Sequence, residues 1–102
     1  MKKKTKVKAK LTKFDAAEYL DSPEIIAAYL TEAFETDDPK FIATAIGDVA
    51  RAKGMTAIAE ETGLSRASLY ASFDGETKTE FNTVRKVLGA LDVKLVVAPK
   101  VE

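Results

Sequence analysis

The sequence contains no cysteine and no histidine. Without cysteine there is no disulfide framework and no thiolate metal site. Without histidine the usual general base, the commonest metal ligand and the neutral-pH switch are all missing. No apolar run approaches the length needed to span a bilayer. The basic N-terminus is not followed by an apolar signal core, so a soluble, cytoplasmic protein is expected. No glycine-rich loop for cradling phosphate is present. Carboxylates, Ser, Thr, Tyr and Lys are what remain for chemistry. The adjacent acids Asp37-Asp38 and Glu60-Glu61 read as helix caps and solvated faces. The sequence therefore predicts no enzyme, no cofactor and no metal.

What is present is unevenly spread. The 102 residues suit one domain with its own core, and the net charge is zero. Residues 1–13 hold seven Lys and no acid, whereas residues 14–38 hold eight acids and no Lys or Arg. A positive arm thus precedes a negative segment, which suggests charged partners without naming them. Residues 1–12 are polar and lack periodicity. They read as a flexible basic arm, and 13–102 as a single domain.

Along the domain, "FDAAEYL" (14–20) predicts at best one short helix. In "DSPEIIAAYLTEAFET", Ser22 caps, Pro23 takes the first helical position, and Ile25, Ile26, Tyr29, Leu30 and Phe34 form an apolar stripe. Asp38 and Pro39 open the next helix in the same way. Its inner face is expected to be Phe41, Ile42, Ala45, Ile46 and Val49, and Gly54 closes it. Helices over 56–62 and 65–73 follow. Thr79 is placed to cap a last helix with Phe81, Val84, Val87, Leu88 and Leu91 inward, and Thr77 with Glu80 offers a competing capping box. "VKLVVAP" (93–99) is β-branched and ends in proline, which predicts a short strand. The expected fold is mainly α, with five helices and one terminal strand.

The stretch "GMTAIAEETGLSRASLYASFDG" (54–75) carries the clearest pattern. In a helix-turn-helix the second helix crosses the first at close range. Ala59 supplies a small residue at the crossing, and Gly63 supplies a turn residue tolerant of positive φ. Ile58, Leu64, Leu69 and Phe73 are spaced to pin both helices to the body. That leaves Arg66, Ala67, Tyr70 and Ala71 outward, with Ser65 as N-cap and Ser68 at the margin. Such a motif lays this face into the major groove of DNA. Arg66 either forks onto a guanine, holds a phosphate or is a solvated surface cation. Tyr70 touches sugar-phosphate or a thymine methyl, or packs half-buried. Thr56 offers its hydroxyl and nearby amides to a phosphate, or caps its helix. Lys78, Arg85 and Lys86 hold DNA backbone or serve solubility.

Three segments, "FDAAEYLDSPEIIAAYLTEAF", "IGDVARAKGMTAIAEETGLSRASLY" and "FNTVRKVLGALDVKLVV", resemble the HigA-type addiction-module antidote family, whose helix-turn-helix is of the lambda-repressor-like kind. The resemblance runs from about Leu11 to Pro99. It implies an antitoxin that silences a RelE/ParE-like toxin and binds its own operator DNA as a repressor, usually as a dimer. The sequence departs from the family pattern in the loop "DGETKTEF", which lacks Asn-Pro, and at Ala71, where the family commonly has Lys or Arg. Residues 53–102 balance seven basic against seven acidic residues, a weaker basic footprint than operator binders usually carry.

For the toxin, the acidic segment suggests steering onto a basic surface, with Asp15, Glu18, Tyr19 and Glu24 as candidate contacts. The terminal strand has an edge to satisfy. Its partner is a toxin sheet, the arm near Val7 to Leu11, or its twin in a homodimer, and the twin is the expectation. A stand-alone regulator with no toxin is the alternative function.

Overall fold

A computed structural model describes residues 21–101. The arm 1–12, the predicted short helix at 14–20, and the candidate contacts Asp15, Glu18 and Tyr19 lie outside the described residues. Among the described residues there are five helices: α1 (Pro23–Phe34), α2 (Pro39–Lys53), α3 (Met55–Thr62), α4 (Arg66–Ser72) and α5 (Phe81–Ala90). α3 is the hub, packing against α2, α4 and α5. α1 lies on α2, and α4 also reaches α2.

The starts of α1 and α2 follow from their caps. Ser22 Oγ accepts from the Ile25 amide at 3.2 Å. Asp38 Oδ1 accepts from the Lys40 and Phe41 amides at 3.1 and 3.4 Å. Proline occupies the first turn of both helices, where its missing N–H costs nothing. Each cap is worth about 1 kcal/mol.

The core takes Ile26, Leu30 and Ala33 from α1 and Ala45, Ile46, Val49 and Ala50 from α2. Met55 and Ile58 come from α3, Leu69 from α4 and Phe73 from just after it, and Val87, Leu88, Ala90 and Leu91 from α5 and its C-cap. Among the described residues no polar or charged side chain is buried. Stability therefore rests on apolar burial, about 1.5–3 kcal/mol for each large side chain.

Several expectations need correction. Phe41 is 52% exposed and Phe81 66% exposed, so neither belongs to its helix's inner face. Both sit in the first turn of their helices, where the stripe has not yet rotated onto the core. Thr79 does not cap α5. Its hydroxyl donates to the Ser72 carbonyl, and the N-cap position is Glu80, without a side-chain cap bond. No Thr77–Glu80 capping box forms among the described residues. The predicted strand at 93–99 is also not seen among the described residues. Residues 93–101 take no regular structure, and after the Val93 amide no backbone bond joins this segment to another described residue. β-branched residues favour extension, but a strand exists only as a ladder with a partner, and the five described helices supply none.

The end of α5 shows how the chain leaves the core. The Val93 amide reaches the Leu88 carbonyl and the Asp92 amide reaches the Gly89 carbonyl, both at 3.0 Å. Asp92 sits in the left-handed region with φ 64°. This is the Schellman pattern, in which glycine is the preferred residue. Asp92→Gly should therefore raise stability by about 0.5–1 kcal/mol, read from the urea midpoint at unchanged slope.

Candidate nucleic-acid interface

Residues 54–74 build a tight pair of short helices. α3 begins at Met55, one residue earlier than the sequence suggests, and its N-cap is Gly54, with no side-chain cap bond. Thr56 is thus not the cap; it lies exposed in the first turn. Gly63 ends α3 with φ 79°, and its amide reaches the Ala59 carbonyl at 2.9 Å. A left-handed residue here turns the chain sharply, which a side chain resists. Thr62 braces the turn. Its hydroxyl donates to the Ile58 carbonyl at 2.8 Å and accepts from the Leu64 amide at 3.2 Å.

α4 restarts at once. Ser65 is extended, and its Oγ accepts from the Ser68 amide at 3.0 Å. Leu69 and Phe73, four apart, are fully enclosed, and Ile58 and Leu64 join them from the preceding helix and turn. Helical geometry then forces Arg66, Ala67, Tyr70 and Ala71 to the other side. Each is exposed, as are Ser65 and Ser68, and Tyr70 is 41% exposed. One short helix and its cap thus present Ser65, Arg66, Ala67, Ser68 and Tyr70 together.

Lys78 and Arg85 have different surroundings. Lys78 borders an apolar depression between α2 and α5, beside Phe34, Pro39 and Phe81. Arg85 lines another with Leu88, Gly89 and Leu95, and its guanidinium donates to Asn82 at 3.1 Å. Glu24, the candidate toxin contact within the described residues, is exposed in the first turn of α1.

One residue that places α4, Gly47, was not singled out in the sequence. A Cβ on Gly47 would stand 3.0 Å from both Cβ and the carbonyl oxygen of Phe73. Gly47 therefore lets the end of α4 seat directly on α2. The available signal was a glycine inside an otherwise strong helical pattern, which usually marks close packing. Asp74 opens the loop "DGETKTEF" that departs from the family pattern. It organises that loop, with Oδ1 accepting from the Glu76 amide at 2.8 Å and the Thr77 amide at 3.0 Å.

Those two amides hold the Asp74 carboxyl below its ordinary range, the Glu76 bond contributing most. A carboxyl with a depressed folded pKa stabilises the fold above its unfolded pKa, and that contribution disappears as pH falls through the folded value. The acid limb of a stability–pH curve should therefore flatten in Asp74→Asn, which keeps the acceptor oxygen and removes the titration. Away from this loop, burial pushes the Tyr29 phenol up, with the Asp48 charge adding to it.

A family model described as "Probable addiction module antidote protein" matches residues 10–99. The chain belongs to that family. A Haemophilus influenzae (strain KW20/Rd) protein of uncharacterised function is 43% identical over 84 residues, spanning 82% of this chain and 87% of that one. No solved structure matches. An antidote has a toxin to counter, so a cognate toxin is this protein's partner. The antidote's described residues include no helix long and apolar enough to cross a membrane and no cluster of potential metal ligands.

Proposed function

We propose that this antidote neutralises a RelE/ParE-like toxin and represses its own operon by binding operator DNA as a homodimer. It acts by binding, without catalysis. α3 and α4 are read as a DNA-binding helix-turn-helix of the lambda-repressor-like kind. The observation that carries this reading is the exposed face of α4, held outward by complete burial of Leu69 and Phe73. Ser65, Arg66, Ala67, Ser68 and Tyr70 meet the major groove, and Thr56 at the start of α3 meets backbone phosphate. Lys78 and Arg85, both exposed, are assigned to the DNA backbone.

Toxin recognition is assigned to the acidic segment that includes Glu24. Glu35, Asp37 and Asp38 extend the exposed acidic surface to the end of α1 and the start of α2. A basic, RNA-directed toxin would be steered there and anchored by neighbouring apolar groups. The test is co-expression with the product of the adjacent gene, purification through a tag on one partner, and a gel shift on upstream DNA at defined salt. A stable complex that retards the DNA is expected. An antidote that copurifies with nothing and leaves the DNA unshifted at low salt overturns the reading.

A further inference from the structure

An apolar hollow of about 490 Å3 opens between α2, the loop that follows α4 and the first turn of α5. Phe34, Ile42, Ile46, Phe73 and Val84 line it, together with Phe81, which is 66% exposed. Its volume and apolar lining are those of a site that encloses a ligand group. The wall contributed by the loop is fixed before anything binds. Gly75 has φ 87°, and a Cβ there would stand 2.9 Å from the Thr44 hydroxyl oxygen, so glycine lets the loop lie down on α2. The Asp74 carboxylate holds the Glu76 and Thr77 amides, and the Thr79 hydroxyl donates to the Ser72 carbonyl. A preformed wall spares an incoming partner the cost of ordering it.

Charge around the hollow has one dominant sign. Glu35 directly follows Phe34, Asp37 and Asp38 directly precede Pro39, Glu76 lines the loop wall, and Glu80 precedes Phe81; all five acids are exposed. The cations of the lining are Lys40 and Lys78, and Lys40 already pairs with Glu76 at 3.8 Å. Glu35 and Asp37 have no ion-pair partner among the described residues.

We propose that this hollow is the socket in which the cognate toxin seats an apolar anchor, an aliphatic or phenylalanine side chain on a segment with Lys or Arg to either side. The inference rests on the toxin-neutralising reading above and deepens it by naming the anchor point and the chemistry it accepts. Charge selects the occupant. The operator backbone assigned to Lys78 stops at the rim, because the carboxylates repel it and the apolar floor offers it nothing. A second copy of this chain, placed face to face across a two-fold axis, would bring the same five carboxylates against themselves. A basic partner meets attraction at the lip and apolar burial beyond it. Such an enclosed anchor carries most of an interface's affinity, while rim charges govern the rate of encounter. The two parts of the site therefore have separable signatures.

Surface plasmon resonance on the immobilised product of the adjacent gene, with the full antidote chain in solution, tests this. Ala43→Leu fills the hollow from α2, and Phe81→Glu puts a charge in its lining. Glu35→Lys with Asp37→Asn changes the lip, asparagine being suited to the left-handed backbone at residue 37, φ 57°. Val97→Glu is the control, an exposed valine that lines the other depression and not this one. Circular dichroism and the operator gel shift without toxin verify the fold of each variant. Ala43→Leu and Phe81→Glu should raise the dissociation constant at least about thirtyfold, chiefly through faster release. The lip variant should slow association about tenfold at low salt, a difference that shrinks at high salt. Val97→Glu should bind as the wild type does. Undiminished affinity in both socket variants overturns the inference and leaves the toxin reading standing. An equal loss in Val97→Glu also overturns it and moves the contact to the depression beside Leu88. An association rate indifferent to the lip charges overturns the basic character given to the partner. Socket variants that keep their affinity but alter the sedimentation of the antidote alone give the hollow to a second copy. A wild type that does not bind the product overturns inference and reading together.

Discussion

Replacing Arg66 with alanine should weaken operator binding by at least about thirtyfold at physiological salt, read by fluorescence anisotropy. One arginine contact to base or phosphate is worth about 1–3 kcal/mol, and a dimer loses it twice. The effect is large because Arg66 has no substitute nearby. It is the sole cation between Met55 and Thr77, a stretch that also holds Glu60, Glu61, Asp74 and Glu76. Its neighbours on the exposed face, Ala67, Ser68, Tyr70 and Ala71, offer methyls, hydroxyls and a ring but no positive charge. Arg66→Lys separates the two modes of contact. If the guanidinium forks onto a guanine, lysine restores little and the discrimination against one base position relaxes. If it holds a phosphate, lysine restores most of the affinity, and alanine lowers the salt slope by about one per copy. Unchanged binding in Arg66→Ala would remove α4 as the recognition element.

The second large effect is on stability. Phe73→Ala should cost about 3–5 kcal/mol, measured by guanidinium unfolding. Phe73 is the largest fully enclosed side chain among the described residues, and it locks the end of α4 onto α2. A cavity there has rigid neighbours, with Ile46 and Val84 of two helices lining the same hollow. Gly47→Ala should destabilise separately, by about 1–2 kcal/mol, because the new methyl presses on packed atoms. The two penalties should add in the double variant. The atoms that Gly47→Ala crowds are Cβ and the carbonyl oxygen of residue 73, and alanine retains both. A double variant more stable than the sum would mean that the ring, rather than the backbone, limits the approach.

Where sequence and structure agree, the interaction is local. Ser22, Asp38 and Ser65 cap the helices that follow them, because a cap needs only its own side chain and the amide two or three residues on. Gly63 turns the chain because a left-handed residue is a property of one position. Leu69 and Phe73 are buried because residues four apart share one helix face. The exposed face of α4 was legible for the same reason, as the complement of that stripe. Where the two differ, the outcome depended on distant parts of the chain. Thr79 had a competing acceptor in the Ser72 carbonyl, seven residues away. Phe41 and Phe81 fit their helical stripes by spacing, yet no described helix covers the first turn at either site.

By itself the sequence determined the five helices, the turn at Gly63 and the outward set at Arg66 and Tyr70, and its resemblance to a family of antidotes. Periodicity and capping act over a few residues, so they survive without knowledge of the rest of the molecule. Only the tertiary structure decided that Gly47 would seat α4 on α2, that Asp74 would organise the loop beyond it, and that residues 94–101 would find no ladder partner among the described residues. Those outcomes depend on which surfaces meet across the core, and a β-branched segment becomes a strand only where some other backbone comes alongside to complete its hydrogen bonds.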